Sequence, residues 1–140
     1  MNLTISRISV WAAMIDDRPG GLSGKLAALS KAGANFEFVL ARRSPVDAGD
    51  GVLFVAPVRG ARQMRAAEAS GFRKTDKMTA LRIEASDKPT LGARITETLA
   101  DARINMRGFS AMSIGKRAVF YLAFDRLRDA TKANRLLKDL

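Results

Sequence analysis

The stretch that decides the fold occurs twice in this chain, 70 residues apart (Asp17 to Asp87). The first copy reads Asp17-Arg18-Pro19-Gly20-Gly21-Leu22, and the second reads Asp87-Lys88-Pro89-Thr90-Leu91-Gly92. Three residue types downstream recur at the same separation: Leu29, Ala32 and Asn35, then Leu99, Ala102 and Asn105. A period of half the 140-residue chain predicts a duplicated structural unit.

Hydrophobic periodicity predicts the elements of the first unit. The first is a strand with Ile8, Val10, Ala12 and Met14 on its inward face and Trp11 on the other, and a helix follows with Leu22, Leu26 and Leu29 on one face. A second strand runs through Phe36, Phe38 and Leu40, and a hairpin loop over 42–51 connects it to a third strand over 52–56. The unit ends with a helix over 61–70, with Met64 and Ala67 inward, and a short strand over 72–74. Pro19 and the two glycines after it break the chain between the first strand and the first helix.

The second unit repeats this order. Its predicted elements are a strand through Leu81, Ile83 and Ala85, a helix on Leu91, Ile95 and Leu99, a strand over 106–112, a turn over 114–117, a strand over 118–124, and a helix over 127–137 with Leu127, Ala130, Ala133 and Leu137 inward. Too little chain remains after this helix for a fourth strand, which is therefore missing or borrowed.

The predicted fold class is α+β, with ferredoxin-like βαββαβ units duplicated in tandem and helices on one face of an antiparallel sheet. The predicted boundaries are 1–74 for the first unit and 75–140 for the second. The segment 71–78 is too short for a flexible linker, so we expect the two units to pack as one side-by-side pseudo-dimer.

The composition narrows the function. The hydrophobic fraction of 47% predicts a packed globular protein, and no apolar run reaches the roughly 18 residues of a membrane span. The absence of cysteine excludes disulfides and thiolate chemistry and favours the cytoplasm. The absence of histidine removes the commonest general base and metal ligand, which disfavours an enzyme. We expect no catalytic residue, no metal, no cofactor and no membrane partner.

The net charge of +10 is typical of a solvated basic surface, because its lysines and arginines are scattered rather than clustered. Nucleic-acid binding is the rival interpretation, since RNA-recognition modules share the ferredoxin-like order. Arg107-Gly108-Phe109-Ser110 is similar to the start of their base-stacking motif but falls on the second strand of its unit instead of the third. The third strand, 118–124, lacks interleaved basic residues, so its aromatic side chains are predicted to be core, which disfavours nucleic acid as a partner.

The turn, helix and strand around both repeated stretches resemble the ACT domain family. The first copy follows that family's pattern through Leu29, Ala32, Gly33 and Asn35. The second departs from it, with Thr90 and Leu91 in place of two glycines and Arg103 in place of Gly33. The resemblance covers nearly the whole chain. It implies a free-standing tandem regulatory protein without a catalytic domain, which binds an amino acid as effector, forms a homodimer and regulates an enzyme or another protein.

The resemblance also implies the ligand site, between the first loop of one unit and the strand of a partner unit. The candidate ligand-binding residues are Asp16, Asp17, Arg18, Gly20, Gly21, Leu22, Asn35 and Phe36 in the first unit, and Asp87, Thr90, Leu91, Asn105 and Met106 in the second. A turn that opens into a helix exposes N–H groups to a ligand carboxylate, and an aspartate there can take the ammonium. Replacing Gly20 and Gly21 with bulkier residues is expected to remove binding and leave the fold.

Structural interpretations of the same residues stay open. Asp17 also fits a cap of the helix or its turn, and the asparagines also fit bonds to local backbone. Leu91 would crowd a ligand, which makes the second loop a candidate pseudo-site. A module that only binds another protein is the third alternative, with Trp11 on the outer face of its strand as half of an interface.

Overall fold

A computed structural model describes residues 2–75 and 79–140. The chain divides into two compact units. We call Ser9–Thr75 the inserted unit. The flanking unit combines Met1–Ile8 with Asp76–Leu140. Residues 76–78 of the predicted connecting segment 71–78 lie outside the described residues.

The inserted unit has a four-stranded antiparallel sheet of order β3-β4-β2-β5 and two helices. Its elements are β2 (Trp11–Asp16), α1 (Gly21–Lys31), β3 (Phe38–Arg43), β4 (Asp50–Ala56), α2 (Gly60–Ala69) and β5 (Arg73–Lys74). One face of the sheet supplies the core, which is closed by Leu29 of α1 and Ala67 of α2. β2 pairs antiparallel with β4, so its last residue, Asp16, lies opposite Asp50 at the start of β4. The loop that follows β2 therefore lies beside the turn of the β3–β4 hairpin.

The flanking unit repeats that architecture, with sheet order β1-β6-β8-β7. Its elements are β1 (Thr4–Ile8), β6 (Thr79–Ser86), α3 (Leu91–Asp101), β7 (Gly108–Ile114), β8 (Arg117–Phe124) and α4 (Leu127–Lys138). Leu91, Ile95 and Leu99 of α3 are fully buried against β6 and β8, as their helical spacing predicts. The duplicated α+β fold is therefore confirmed.

The edge strand β1 supplies the fourth strand that the second unit lacks. Thr4 to Ile8 pair with Glu84 to Ala80 of β6, so the strand is borrowed from the start of the chain. The structure thus divides the chain differently from the predicted 1–74 and 75–140, because the first eight residues complete the later unit. The single strand predicted through Ile8 and Met14 is two strands in different sheets.

The predicted faces are corrected at four residues. Trp11 is a core residue with 4% of its surface exposed, whereas Met14 is 51% exposed, so the strand's inward face is the one carrying Trp11, Ala13 and Ile15. Trp11 is therefore not half of an interface. Met64 and Leu127, both predicted inward, are exposed. In each of these elements, apolar residues lie on two faces, so their spacing alone does not show which face is buried. The elements that pack against them decide it.

The longest helix, α4, has 12 residues. In the described ranges, no helix is long and apolar enough to cross a membrane.

Candidate functional site

The two repeated loops have two backbone hydrogen bonds in common. The N–H of Asp17 donates to the carbonyl of Gly49 at 2.9 Å, and the N–H of Asp87 donates to that of Lys116 at 2.8 Å. Each loop is therefore tied to the turn of the hairpin in its own unit. The bonds from Gly21 to Arg18 and from Leu91 to Lys88, both 3.1 Å, also correspond. The duplication thus extends from side-chain identity to these two backbone hydrogen bonds.

The backbone of the first loop requires glycine at positions 20 and 21. Gly20 precedes α1 with φ of 90°, a left-handed conformation that favours glycine. Gly21 packs directly on the end of β2, since a Cβ there would stand 2.2 Å from the carbonyl oxygen of Asp16. The expectation that bulkier residues at both positions leave the fold intact is therefore wrong for Gly21.

The charged side chains of the first loop pair with one another and with β3. Arg18 donates to the Asp16 carboxylate at 3.2 Å, and Arg43 donates to the Asp17 carboxylate at 2.9 Å. Within the part of the chain that the structure describes, no side-chain hydrogen bond caps α1, so Asp17 acts as an ion-pair partner of β3 rather than as a helix cap. Arg43 is the residue that sequence reasoning missed here, although its place near the end of the second strand was a usable signal.

The structure does not bring Asn35 and Phe36 to this loop. They follow the end of α1, a helix of 11 residues that spans about 16 Å. Phe36 packs against the core of the inserted unit, and Asn35 is exposed. Met106 and Asn105 repeat this arrangement in the flanking unit. Within one unit, the residues that face the loop from the strands are instead Ala41, Arg43 and Gly51.

The second loop is more closed than the first. Thr90 precedes α3 in a right-handed conformation, unlike Gly20, and its side chain makes no capping bond. Leu91 is 1% exposed and belongs to the core, so it fills the position where the first loop has Gly21. Asp87 stays exposed at the hairpin.

Two depressions flank the first loop. We call the one toward the edge strand β3 the strand-side hollow, lined by Ile15, Asp17, Leu22, Ala41, Arg43 and Gly51. We call the other the helix-side cleft, lined by Met14, Arg18, Gly20, Gly24, Lys25 and Ser70. The scattered lysines and arginines predict solvated charges, and Lys25 is an exception. It is instead partly buried, and its ammonium donates to the carbonyl of Ser70 beyond α2.

The flanking sheet carries a separate charged network on the face away from its helices. Arg82 donates to Glu84 at 3.0 Å and to the hydroxyl of Tyr121 at 3.3 Å, and Arg117 donates to the second oxygen of Glu84 at 3.3 Å. These bonds, first from Arg82 and then from Arg117, lower the pKa of Glu84 below its usual value. The bond to Tyr121 raises the pKa of Arg82.

The aromatic side chains of β8 form no surface for stacked bases. Phe120 and Phe124 lie in the core, as predicted, and Tyr121 is 8% exposed. Among the described residues, no group of three or more acidic side chains is placed to hold a metal ion.

No protein-family model and no curated protein matches the sequence. Solved structures do match. Protein BT0572 from Bacteroides thetaiotaomicron superposes with a TM-score of 0.78 at 13% identity, covering 99% of this chain and 90% of its own. The ligand-free regulatory subunit of aspartate kinase from Thermus thermophilus superposes with a TM-score of 0.67 at 13% identity, covering 99% of this chain and 96% of its own. The regulatory subunit of aspartate kinase from Thermus flavus has a TM-score of 0.67 at 12% identity, again covering 99% of this chain and 96% of its own.

At these identities the likeness establishes the fold and leaves the ligand and partner open. The similarity runs through both units and the borrowed strand, since nearly the whole of each chain is covered. The structure therefore confirms the resemblance at the level of fold: the chain has the tandem ACT-like fold that is also found in the regulatory subunits of aspartate kinase.

Proposed function

We propose that this chain is a cytoplasmic regulatory protein, not an enzyme, that binds a free amino acid and passes the signal to a partner enzyme. The observation that carries the proposal is the lining of the strand-side hollow, which combines charges of both signs with apolar side chains. A free amino acid needs a partner for its ammonium, a partner for its carboxylate and an apolar or polar surface for its side chain.

The ion pair between Arg43 and Asp17 supplies both charges. Its Nε–Oδ2 distance is 2.9 Å, and the Arg43 side chain is 85% exposed, so the guanidinium can turn toward a ligand carboxylate at little cost. The Asp17 carboxylate then becomes available for the ligand ammonium. Leu22 and Ile15 give the hollow its apolar wall. Leu22 also leaves its backbone N–H without a carbonyl acceptor in the described ranges, which adds a donor for the carboxylate.

The hollow is open on the side of β3, because β3 is an edge strand. Val39 and Leu40 of this strand are 44% and 39% exposed, which is unusual for two consecutive aliphatic residues. We propose that a second copy of the chain pairs with β3 about a twofold axis, as identical edge strands readily do, and closes the hollow. An effector held between two copies would then favour one arrangement of the dimer over others and so alter the partner enzyme.

A thermal-shift screen with all twenty amino acids tests the proposal. Ligand at about 100 times its dissociation constant stabilises a fold by about 2.7 kcal/mol, and each kcal/mol raises Tm by about 2–4 °C at this size. We expect a shift with one amino acid or a few related ones. Leu22→Asp should abolish the shift, since it places a negative charge beside the carboxylate. Leu127→Asp, at an exposed leucine of the flanking unit, is the matched control and should keep it.

Oligomeric state gives an independent readout. Leu40→Lys should leave a folded monomer in light scattering and weaken the amino-acid shift, because the second wall of the hollow is lost. No shift with any amino acid, together with salt-sensitive binding of oligonucleotides, would reject the proposal in favour of nucleic acid.

A further inference from the structure

The helix-side cleft has a counterpart in the flanking unit, and the two differ in size. The counterpart is lined by Ala85, Ser86, Lys88 and Leu91, which stand 70 residues after Ile15, Asp16, Arg18 and Gly21, and by Asn2. Its volume is about 170 Å³, against about 400 Å³ for the helix-side cleft. The larger value lies in the range of small-molecule sites. One fold therefore contains the same depression twice, smaller in the flanking unit and larger in the inserted unit.

Two substitutions between the repeats contribute to the difference in volume. Leu91 and Ile95 of α3 are buried at 1% and 0% exposure and fill the flanking core. Their counterparts on α1 are Gly21, which has no side chain, and Lys25, which is charged. Strand coverage differs as well, since β1 pairs with five residues of β6 while β5 pairs with only Trp11 and Ala12 of β2. The inserted unit thus leaves the end of β2 open where the flanking unit covers it.

Lys25 gives the open cleft its chemistry. Its ammonium donates to the carbonyl of Ser70, and it makes no ion pair within the described ranges. An ammonium has three N–H donors, so this bond leaves two for a ligand. Arg18 adds a second cation, partly offset by its bond to Asp16. The cleft therefore has two cations against one carboxylate, and glycines at 20 and 24 keep it accessible.

We propose that the helix-side cleft binds a small oxyanion, a carboxylate or phosphate group carried by a metabolite-sized molecule. The cleft and the strand-side hollow share the border formed by Ile15, Asp16 and Arg18, but they differ in their other walls. Lys25, Gly24 and Ser70 line only the cleft. A fixed oxyanion would use the remaining donors of Lys25 and lie within reach of Arg18.

The test uses the ¹⁵N-labelled full chain, titrated with inorganic phosphate and, in a second arm, with succinate, at constant ionic strength. We expect saturable shifts of the amide signals of Gly20, Gly24 and Ser70, and the arm with tighter binding identifies the class of anion. Lys25→Met should lower the affinity at least about tenfold, as loss of a charged hydrogen bond does. Lys31→Met is the matched control, an exposed lysine on the same helix, and should leave the affinity unchanged.

A second variant closes the cleft without removing charge. A Cβ on Gly24 would meet no atom within 4 Å, so Gly24→Leu should fold, fill the space and abolish the shifts. Shifts that do not saturate, or that persist unchanged in Lys25→Met and Gly24→Leu, would overturn the proposal. Both variants should keep the amino-acid thermal shift of the strand-side hollow, so failure of either site leaves the other testable.

Discussion

The carbonyl oxygen of Asp16 occupies the space beside Gly21, 2.2 Å from where a Cβ of that residue would stand. This contact seats the first turn of α1 on the end of β2, and the turn carries both depressions of the inserted unit. In the flanking unit Leu91 takes the same place in the repeat and points its side chain into the core. The first loop therefore needs glycine at position 21 because the backbone of β2 leaves no room for a side chain there, whereas the second loop is closed by a leucine.

Gly21→Ala should destabilise the protein by about 1–3 kcal/mol, because either the helix or the strand end must shift to admit the methyl group. Gly24→Ala, three residues further along α1, should instead stabilise it by about 0.5–1 kcal/mol, since its Cβ meets open space and alanine favours the helix. Urea unfolding of the two variants measures both effects. Equal stabilities would contradict the close approach of Gly21 to Asp16.

Arg103 lies two residues after the end of α3 in a left-handed conformation, with φ of 58°, and Gly33 holds the same place after α1 with φ of 86°. Such a conformation costs a residue other than glycine about 1–2 kcal/mol. Arg103→Gly should therefore stabilise the protein by about 0.5–1 kcal/mol, after the greater flexibility of glycine in the unfolded chain is subtracted.

The reverse change, Gly33→Ala, should cost about 1 kcal/mol. The nearest atom to its Cβ would be Nε2 of Gln63 at 3.8 Å, so backbone conformation alone is tested. Denaturant midpoints that move in the same direction for both variants would show that these two helix ends are not equivalent.

Glu84 makes stability depend on pH. Its pKa is lowered in the fold by hydrogen bonds from Arg82 and Arg117, so the ionised carboxylate stabilises the protein above the usual carboxyl value near pH 4. That contribution is lost as pH falls through the lowered value. Glu84→Gln should therefore reduce Tm at pH 7, and its difference from the parent protein should close below pH 4.

Glu97→Gln is the control for this experiment, because Glu97 lies on the exposed side of α3 without an ion pair in the described ranges. Its Tm difference should stay small across the same pH range. A constant gap for Glu84→Gln between pH 7 and pH 2 would rule out the charge as the cause.

Deletion of residues 2–8 should weaken the flanking unit selectively. It removes β1, which pairs with Ala80 to Glu84, and it removes Leu3 and Ile5 from the edge of the core. Loss of these two side chains costs about 2 kcal/mol or more. Hydrogen exchange should show faster amides in β6 and unchanged ones in β4. Equal acceleration in both sheets would mean that the units do not unfold separately.

The repeat made the architecture predictable. Asp17 and Asp87 fixed the register of the duplication, and the hairpins, helices and their order followed from Gly and Pro positions and from apolar spacing. Local patterns could not assign faces at Trp11, Met64 and Leu127, because each element has apolar residues on more than one side. Of the candidate site, the loop residues were found from the repeat, while Arg43 and Lys25 were missed because their partners are distant in sequence.

The sequence by itself determined the duplicated unit, its α+β class and the loop that differs between copies, because those properties depend on residues close together in the chain. Only the tertiary structure decided that Thr4–Ile8 completes the later unit, that Gly21 packs on Asp16, and that Lys25 borders an open cleft. Strand pairing, close backbone approach and burial of a charge all depend on which distant residues meet. No local pattern encodes which distant residues meet. Those contacts are selected by the free energy of the whole packed chain.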